Sequence, residues 1–96
     1  MYSIRKTHRA RNDLRGIWRD TCDKWGDRQA DKYLDELNAG IEQLRDNPKL
    51  GKLRDALRPG YRSLHVNRHI VYYTLEPSLI RIIRVLYDGM DADRNL

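Results

Sequence analysis

The chain has 96 residues, 34% of them charged, a net charge of +5 and a single cysteine. That length holds one core and no second lobe, so a single domain spanning 1–96 is expected. Cys22 has no partner for an intrachain disulfide, which suits a reducing compartment. No segment approaches the roughly 20 apolar residues of a membrane span, and the start Met-Tyr-Ser-Ile-Arg-Lys lacks the apolar run of a secretory signal; a cytoplasmic location is expected, with no membrane contact.

Tyr2 and Ile4 open the chain as a short extended segment, and Thr7 stands where it can cap a helix. Leu14, Ile17, Trp18, Thr21, Cys22 and Trp25 then recur at helical spacing, which predicts an amphipathic helix ended by Gly26. Trp18 is expected in the core and Trp25, beside the helix end, half exposed. Asp27 is placed to cap a second helix, whose stripe runs Ala30, Tyr33, Leu34, Leu37, Ile41 and Leu44 until Asn47-Pro48 breaks it. Two long helices joined by so short a link pack as antiparallel neighbours.

Pro48 to Gly60 reads as a basic, irregular connection. Beyond it Tyr61–Val66 alternates as a strand does, and Asn67-Arg68 falls where a hairpin turn belongs. His69–Leu75 is nearly all apolar, and Glu76-Pro77-Ser78 makes the next turn. Leu79–Tyr87 is the most apolar run and is expected at the centre of the sheet. Either the first strand or Tyr61–Val66 is expected at an edge. The fold class that follows is α+β: an N-terminal strand, an antiparallel helical hairpin and a three-stranded antiparallel β-meander. Arg81 and Arg84, three apart in one strand, point to opposite faces, so one of them needs a carboxylate near the helix-covered side.

Charge is unevenly placed. Residues 45–70 carry seven Lys/Arg against Asp46 and Asp55, and the rest of the chain balances twelve cations with twelve anions. A patch of this kind meets an acidic protein or a phosphate backbone. His8, His65, His69 and Cys22 lack zinc-ligand spacing. Asp88, Asp91 and Asp93 lack the glycine and glutamate of a calcium loop, and there is no phosphate-binding glycine loop, so neither metal nor cofactor is expected.

Several segments in order, Asp13-Leu-Arg-Gly-Ile-Trp18, Trp25-Gly-Asp-Arg-Gln-Ala-Asp-Lys-Tyr33, Asn47-Pro-Lys-Leu-Gly51, Arg58-Pro-Gly-Tyr-Arg-Ser63, Arg68-His-Ile-Val-Tyr-Tyr73 and Arg84-Val-Leu-Tyr-Asp-Gly-Met-Asp91, give the chain its family likeness. It resembles the ParE toxins of the ParE/RelE superfamily of bacterial type II toxin–antitoxin systems. The resemblance implies the fold just described. It also implies a ParD-like antitoxin whose flexible C-terminal segment wraps the toxin in a hetero-oligomer, and DNA gyrase as the target, met by protein–protein contact without direct nucleic-acid binding. Tyr87 departs from the pattern, since many relatives carry histidine after the Val-Leu pair.

The RelE branch of the superfamily cleaves mRNA on the ribosome, and this is the alternative. Such cleavage needs a base for the 2′-OH, an acid for the leaving oxygen and cations around the phosphate. Arg62, His65 and His69 are the candidates. The tail from Asp88 to Leu96, however, carries three acids and one arginine and would repel a phosphate, which favours a non-enzymatic toxin. A third possibility is an inactive member kept for antitoxin binding. Under the ParE reading, antitoxin contacts are assigned to Trp25, Arg54, Arg58, Arg62 and Arg68, and toxicity to Arg81, Arg84, Met90, Asp91 and Arg94.

Overall fold

In a computed structural model, which describes residues 2–96, the elements follow as β1 (Ser3–Lys6), α1 (His8–Trp25), α2 (Asp27–Glu42), β2 (Lys52–Leu53), β3 (Tyr61–Val66), β4 (His69–Glu76), β5 (Leu79–Tyr87) and α3 (Ala92–Asn95). They form a five-stranded sheet, in the order β1-β5-β4-β3-β2, with the α1–α2 hairpin on one face. β1 runs parallel to β5, and every other pairing is antiparallel.

Thr7 caps α1 as expected: its hydroxyl accepts the Ala10 N–H at 3.0 Å. The same hydroxyl donates to the Ile83 carbonyl, which fixes the start of the helix to the sheet. The junction of the two helices differs from the sequence reading. Gly26, at φ +88°, both closes α1 and caps α2; its carbonyl accepts the Ala30 N–H, and Asp27 is the first residue inside the helix rather than its cap. A side chain at Gly26 would be strained in that left-handed conformation, so the glycine sets the reversal. α2 ends at Glu42 and tightens into one 3₁₀ turn over Gln43–Arg45, just ahead of Asn47-Pro48.

Two strand placements also differ. The central strand is β4, not β5, although β5 is interior because β1 covers its outer side. The connection before β3 is not wholly irregular: Lys52 pairs with Ser63 and Leu53 with Arg62, so β2 covers part of the edge that β3 would otherwise present. Two residues give no periodicity that sequence could reveal.

The core is Ile41 and Leu44 of the hairpin side, Ala10 of α1, and Val71, Tyr73, Ile80, Ile82 and Val85 of the sheet. Cross-strand partners share a face. Arg62, Leu64 and Val66 of β3 stand opposite Tyr73, Val71 and His69 of β4, and these six side chains line the helix side. Trp18 is not among the core residues. It is 36% exposed and lies over the helix seam, donating its indole N–H to Asp31 at 2.9 Å.

Candidate partner-binding surface

A groove of about 740 Å³ lies between the linked ends of α1 and α2 and the ends of β4 and β5. Ile17, Thr21 and Trp25 form one wall, and Tyr33, His69 and Tyr87 form the floor. Trp25 is 72% exposed, an indole held in solvent beside an apolar trough. Asp20, Lys24 and Arg68 line the rim and give it mixed charge.

The floor is held by a hydrogen-bond chain. The Arg68 backbone N–H donates to the Tyr33 hydroxyl at 3.2 Å, and that hydroxyl lies 2.7 Å from His69 Nδ1. The contact is an O–H···Nδ1 bond when the neutral imidazole carries its proton on Nε2 and an Nδ1–H···O bond in the other tautomer. Burial lowers the His69 pKa and raises that of Tyr33, so both groups favour their neutral states. The rings of Tyr33 and Tyr87 each meet His69 edge-on, at 5.5 and 6.1 Å between centroids. The sequence marked Tyr33 only as part of a helical stripe; its bond to His69 depends on a contact 36 residues away, which periodicity does not encode.

The arginines assigned to partner binding divide. Arg68 stands at the groove rim with an exposed side chain. Arg54 donates to Ser63 Oγ at 3.3 Å, and Arg62 donates inward to the Gly51 carbonyl at 2.9 Å, on the helix side of the sheet. Arg58 donates to Asp93 at 2.9 Å and so ties the loop to the C-terminal turn. Arg68 and Trp25 therefore share one surface; Arg54, Arg58 and Arg62 are engaged within the fold.

The alternative constellation of Arg62, His65 and His69 does not converge. His69 and Arg62 are on the helix side but opposite ends of the β3–β4 ladder, roughly 13 Å apart along the strand. His65 opposes Ile70 on the other face, where its Nε2 lies 3.3 Å from Asp88.

On that other face lies the C-terminal turn. Asp91 caps α3 by accepting the Asp93 N–H. The Asn95 carbonyl accepts from both Arg9 and Arg84. Both strand arginines have carboxylate partners: Arg84 pairs with the shielded Asp13 of α1 and Arg81 with the exposed Glu76 at 2.8 Å, and the two stand on the same face of β5, opposite Tyr72 and Thr74. Met90 and Arg94 project outward. Among the described residues no group of His, Cys, Asp and Glu is arranged to hold a metal ion, and no helix is long and apolar enough to cross a membrane.

A family model described as the ParE toxin of the type II toxin-antitoxin system parDE matches residues 4–92. The chain belongs to the ParE toxin family. It is 42% identical over 88 residues to Toxin ParE1 of Mycobacterium tuberculosis, covering 91% of this chain and 90% of that one. To Toxin ParE1 of Caulobacter vibrioides it is 38% identical over 96 residues, covering 100% and 99%. A solved structure of the chromosomal ParDE system from P. aeruginosa matches with a TM-score of 0.81 at 22% identity, over 91% of this chain and 96% of that one. The YoeB-YefM complex from Staphylococcus aureus matches at 0.64 and 21% identity, over 91% and 97%. At such identities the structural matches establish the RelE/ParE fold alone. The protein is thus a ParE-type toxin of a type II system.

Proposed function

We propose that this toxin acts in the cytoplasm by inhibiting DNA gyrase through protein–protein contact, and that a ParD-like antitoxin neutralises it in a hetero-oligomer by laying an amphipathic helix into the Trp25 groove. The observation that carries the non-catalytic reading is the register of β3 against β4. It puts His65 on one face and His69 on the other, and it turns Arg62 toward the Gly51 carbonyl. General acid–base cleavage of RNA needs a base, an acid and cations within reach of one phosphate. Here His69 is neutral and hydrogen-bonded to Tyr33, and Arg58 and Arg84 are paired with Asp93 and Asp13.

The antitoxin part of the reading is supported by Trp25. A large indole exposed beside an apolar trough is the kind of anchor on which helix-in-groove recognition depends. The gyrase part follows from the family. The test is induction of the toxin alone in cells, with DNA and protein synthesis pulse-labelled within minutes, followed by a supercoiling assay with purified gyrase. Early arrest of DNA synthesis with continued translation, and loss of supercoiling, are expected. Early arrest of translation would instead favour RNA cleavage and overturn the reading.

A further inference from the structure

The floor of the Trp25 groove carries a polar group that the fold leaves without a partner. His69 gives Nδ1 to the Tyr33 hydroxyl, while its Nε2 makes no hydrogen bond. Among the described residues no buried side-chain nitrogen or oxygen lacks a partner, so this Nε2 reaches solvent, and the space that His69 lines is the groove. Tyr87, the exposed neighbour of His69 on the floor, also keeps its hydroxyl unbonded among the described residues. The other hydroxyls of the groove are engaged: Tyr33 accepts the Arg68 N–H, and Thr21 donates to the Ile17 carbonyl.

The charges around this imidazole are unevenly disposed. Tyr33 of α2 and Tyr87 of β5 meet it as neutral rings. Two acids act on it from outside the groove: Asp13 of α1 is held by Arg84, and Asp88, just past β5, is turned to His65 on the other face of the sheet. Along the groove itself, Lys24 of α1 and Arg68 of the β3–β4 turn form no ion pair among the described residues, and Asp20 of α1 is the one acid in the lining. The groove is therefore net cationic even while His69 is neutral.

A helix laid here has already used its backbone N–H and C=O groups within itself, so only a side chain can meet Nε2. An apolar side chain over that nitrogen would dry it without replacing its bond to water, which opposes binding. A lysine or arginine would face Lys24 and Arg68. A carboxylate accepts from Nε2–H and from the Tyr87 hydroxyl, and both cations attract it.

Resting on the reading of this groove as the antitoxin site, we propose that the antitoxin helix presents a glutamate or aspartate to His69 Nε2, which makes His69 the residue that selects an acidic anchor and takes up a proton as the complex forms. In the free toxin, burial favours the neutral imidazole. A carboxylate at Nε2 favours the charged form. The imidazolium then donates through both nitrogens, Nε2–H to the partner and Nδ1–H to the Tyr33 oxygen, which has a second lone pair beside the one given to Arg68. The complex thus holds more protons than the separate proteins, and affinity rises as pH falls from the bound pKa of His69 to the free one.

Calorimetric titration of the full-length antitoxin encoded beside the toxin, at about pH 7 in two buffers of different ionisation enthalpy, counts the protons taken up. Uptake of roughly half a proton or more is expected for the wild type, with affinity rising about fivefold from about pH 8 to about pH 6. Both effects should be lost in His69→Asn, whose amide still faces Tyr33 but puts nothing at Nε2. If that variant does not keep the wild-type melting temperature, His69→Gln, a non-titrating side chain that reaches the Nε2 position, carries the comparison. Replacing the acidic residues of the antitoxin's toxin-binding segment one at a time by their amides should find one that abolishes the uptake and weakens binding to wild type but not to His69→Asn. Enthalpies that do not depend on buffer, equal uptake in the His69 variants, or the lack of any such carboxylate would overturn the proposal. Trp25→Ala, titrated in parallel, tells which reading has failed: if it binds like wild type, the groove is not the antitoxin site and both fall, whereas a weakened complex without proton uptake removes the carboxylate contact alone.

Discussion

Asp13 on α1 does for β5 what a neighbouring strand would do. Its Oδ2 accepts from Arg84 Nε at 2.7 Å and from the Val85 backbone N–H at 3.0 Å, while Oδ1 accepts from the Arg84 guanidinium at 2.8 Å. β1 stops at Lys6, so β5 beyond Ile82 has lost its partner on that side; Thr7 serves the Ile82 and Ile83 carbonyls and Asp13 serves Val85. The pair is largely shielded from solvent, with side-chain exposures of 13% and 14%, and the bond to Asp13 raises the Arg84 pKa still further. Removing one partner strands the other charge in a poorly solvated place. Asp13→Ala should lower stability to urea by about 2–4 kcal/mol, and Asp13→Asn by less, because the amide oxygen still accepts from Val85. A double-mutant cycle with Arg84→Ala should give a coupling of at least about 1 kcal/mol; a coupling near zero would show that the geometry contributes nothing.

The residue that couples the Trp25 groove to pH is His69. Tyr33 faces it from α2 and Tyr87 from β5; burial lowers its pKa, and the negative charges of Asp88 and Asp13 offset part of that shift. Because the folded value lies below the ordinary 6.5, the unfolded chain binds the extra proton first as pH falls. The stability linked to His69 is therefore complete above about 6.5, declines as pH drops toward the folded value, and levels off below it. Urea titrations of wild type and His69→Gln between about pH 5 and pH 8 should differ in slope on the acid side. Parallel curves would mean that the imidazole is as free to protonate in the fold as in the unfolded chain.

How far these features were legible in the sequence depends on whether they are local. The Thr7 cap, the Gly26 stop and the Asn67-Arg68 turn all follow from neighbours within a few residues, and each is present. Arg81 and Arg84, expected on opposite faces, share one: they stand opposite Thr74 and Tyr72, because an extra residue between them resets the alternation. Trp18 misleads because an apolar stripe does not say which of its members lies at the margin. Its indole has both a polar and an apolar end, and Asp31, thirteen residues on, takes the polar one. The extra residue in β5 is equally hidden: Tyr72 pairs with Arg84 but Tyr73 with Ile82, so Ile83 is bulged out of the ladder. That bulge lies beside the point where Thr7 and Asp13 take over from β1. At the surface, Trp25 and Arg68 were found as one patch, while Arg58, Arg62 and Arg84 could not be recognised as internally engaged without their carbonyl and carboxylate partners.

At Gly40, α2 presses against Val66 of the sheet. A Cβ there would come within 2.7 Å of one Val66 methyl and 3.2 Å of the other. Alanine favours the helix by about 1 kcal/mol over glycine, but overpacking against a core valine costs about 1–3 kcal/mol. Gly40→Ala should therefore be neutral to destabilising, by up to about 2 kcal/mol, rather than stabilising as helix propensity alone demands. In a Gly40→Ala/Val66→Ala double variant the two losses should sum to less than their separate values, because the new methyl occupies space that the valine vacates. Simple additivity in thermal or urea denaturation would remove the steric explanation.

Trp25 separates binding from folding. With its side chain mostly in solvent, Trp25→Ala should change stability by no more than about 0.5 kcal/mol. If the indole anchors an antitoxin helix, the same change should weaken the complex by about 2 kcal/mol or more, roughly thirtyfold in Kd, through faster dissociation. Calorimetric titration with the antitoxin encoded beside the toxin supplies the measurement. An affinity within about threefold of wild type would place the anchor elsewhere on the groove.

The C-terminal turn can be altered without loosening the sheet, because its attachments are distinct from its exposed side chains. Arg58 grips Asp93, Arg9 and Arg84 grip the Asn95 carbonyl, and Asp91 caps the turn, whereas Met90 and Arg94 contribute none of these bonds. Met90→Ala and Arg94→Glu should accordingly keep the wild-type melting curve to within about 0.5 kcal/mol. Asp91→Ala and Arg58→Ala should release the turn, at a cost of about 1 kcal/mol each, and mix loss of order with loss of contact. If the exposed side chains of the turn meet the target, the Met90/Arg94 double variant should lose growth inhibition on induction while still binding antitoxin with unchanged affinity. A double variant that stays folded, binds antitoxin and arrests growth as fast as wild type would move the toxic surface away from the tail, and Arg81, exposed on the same side of the sheet beside Glu76, would be the next residue to reverse.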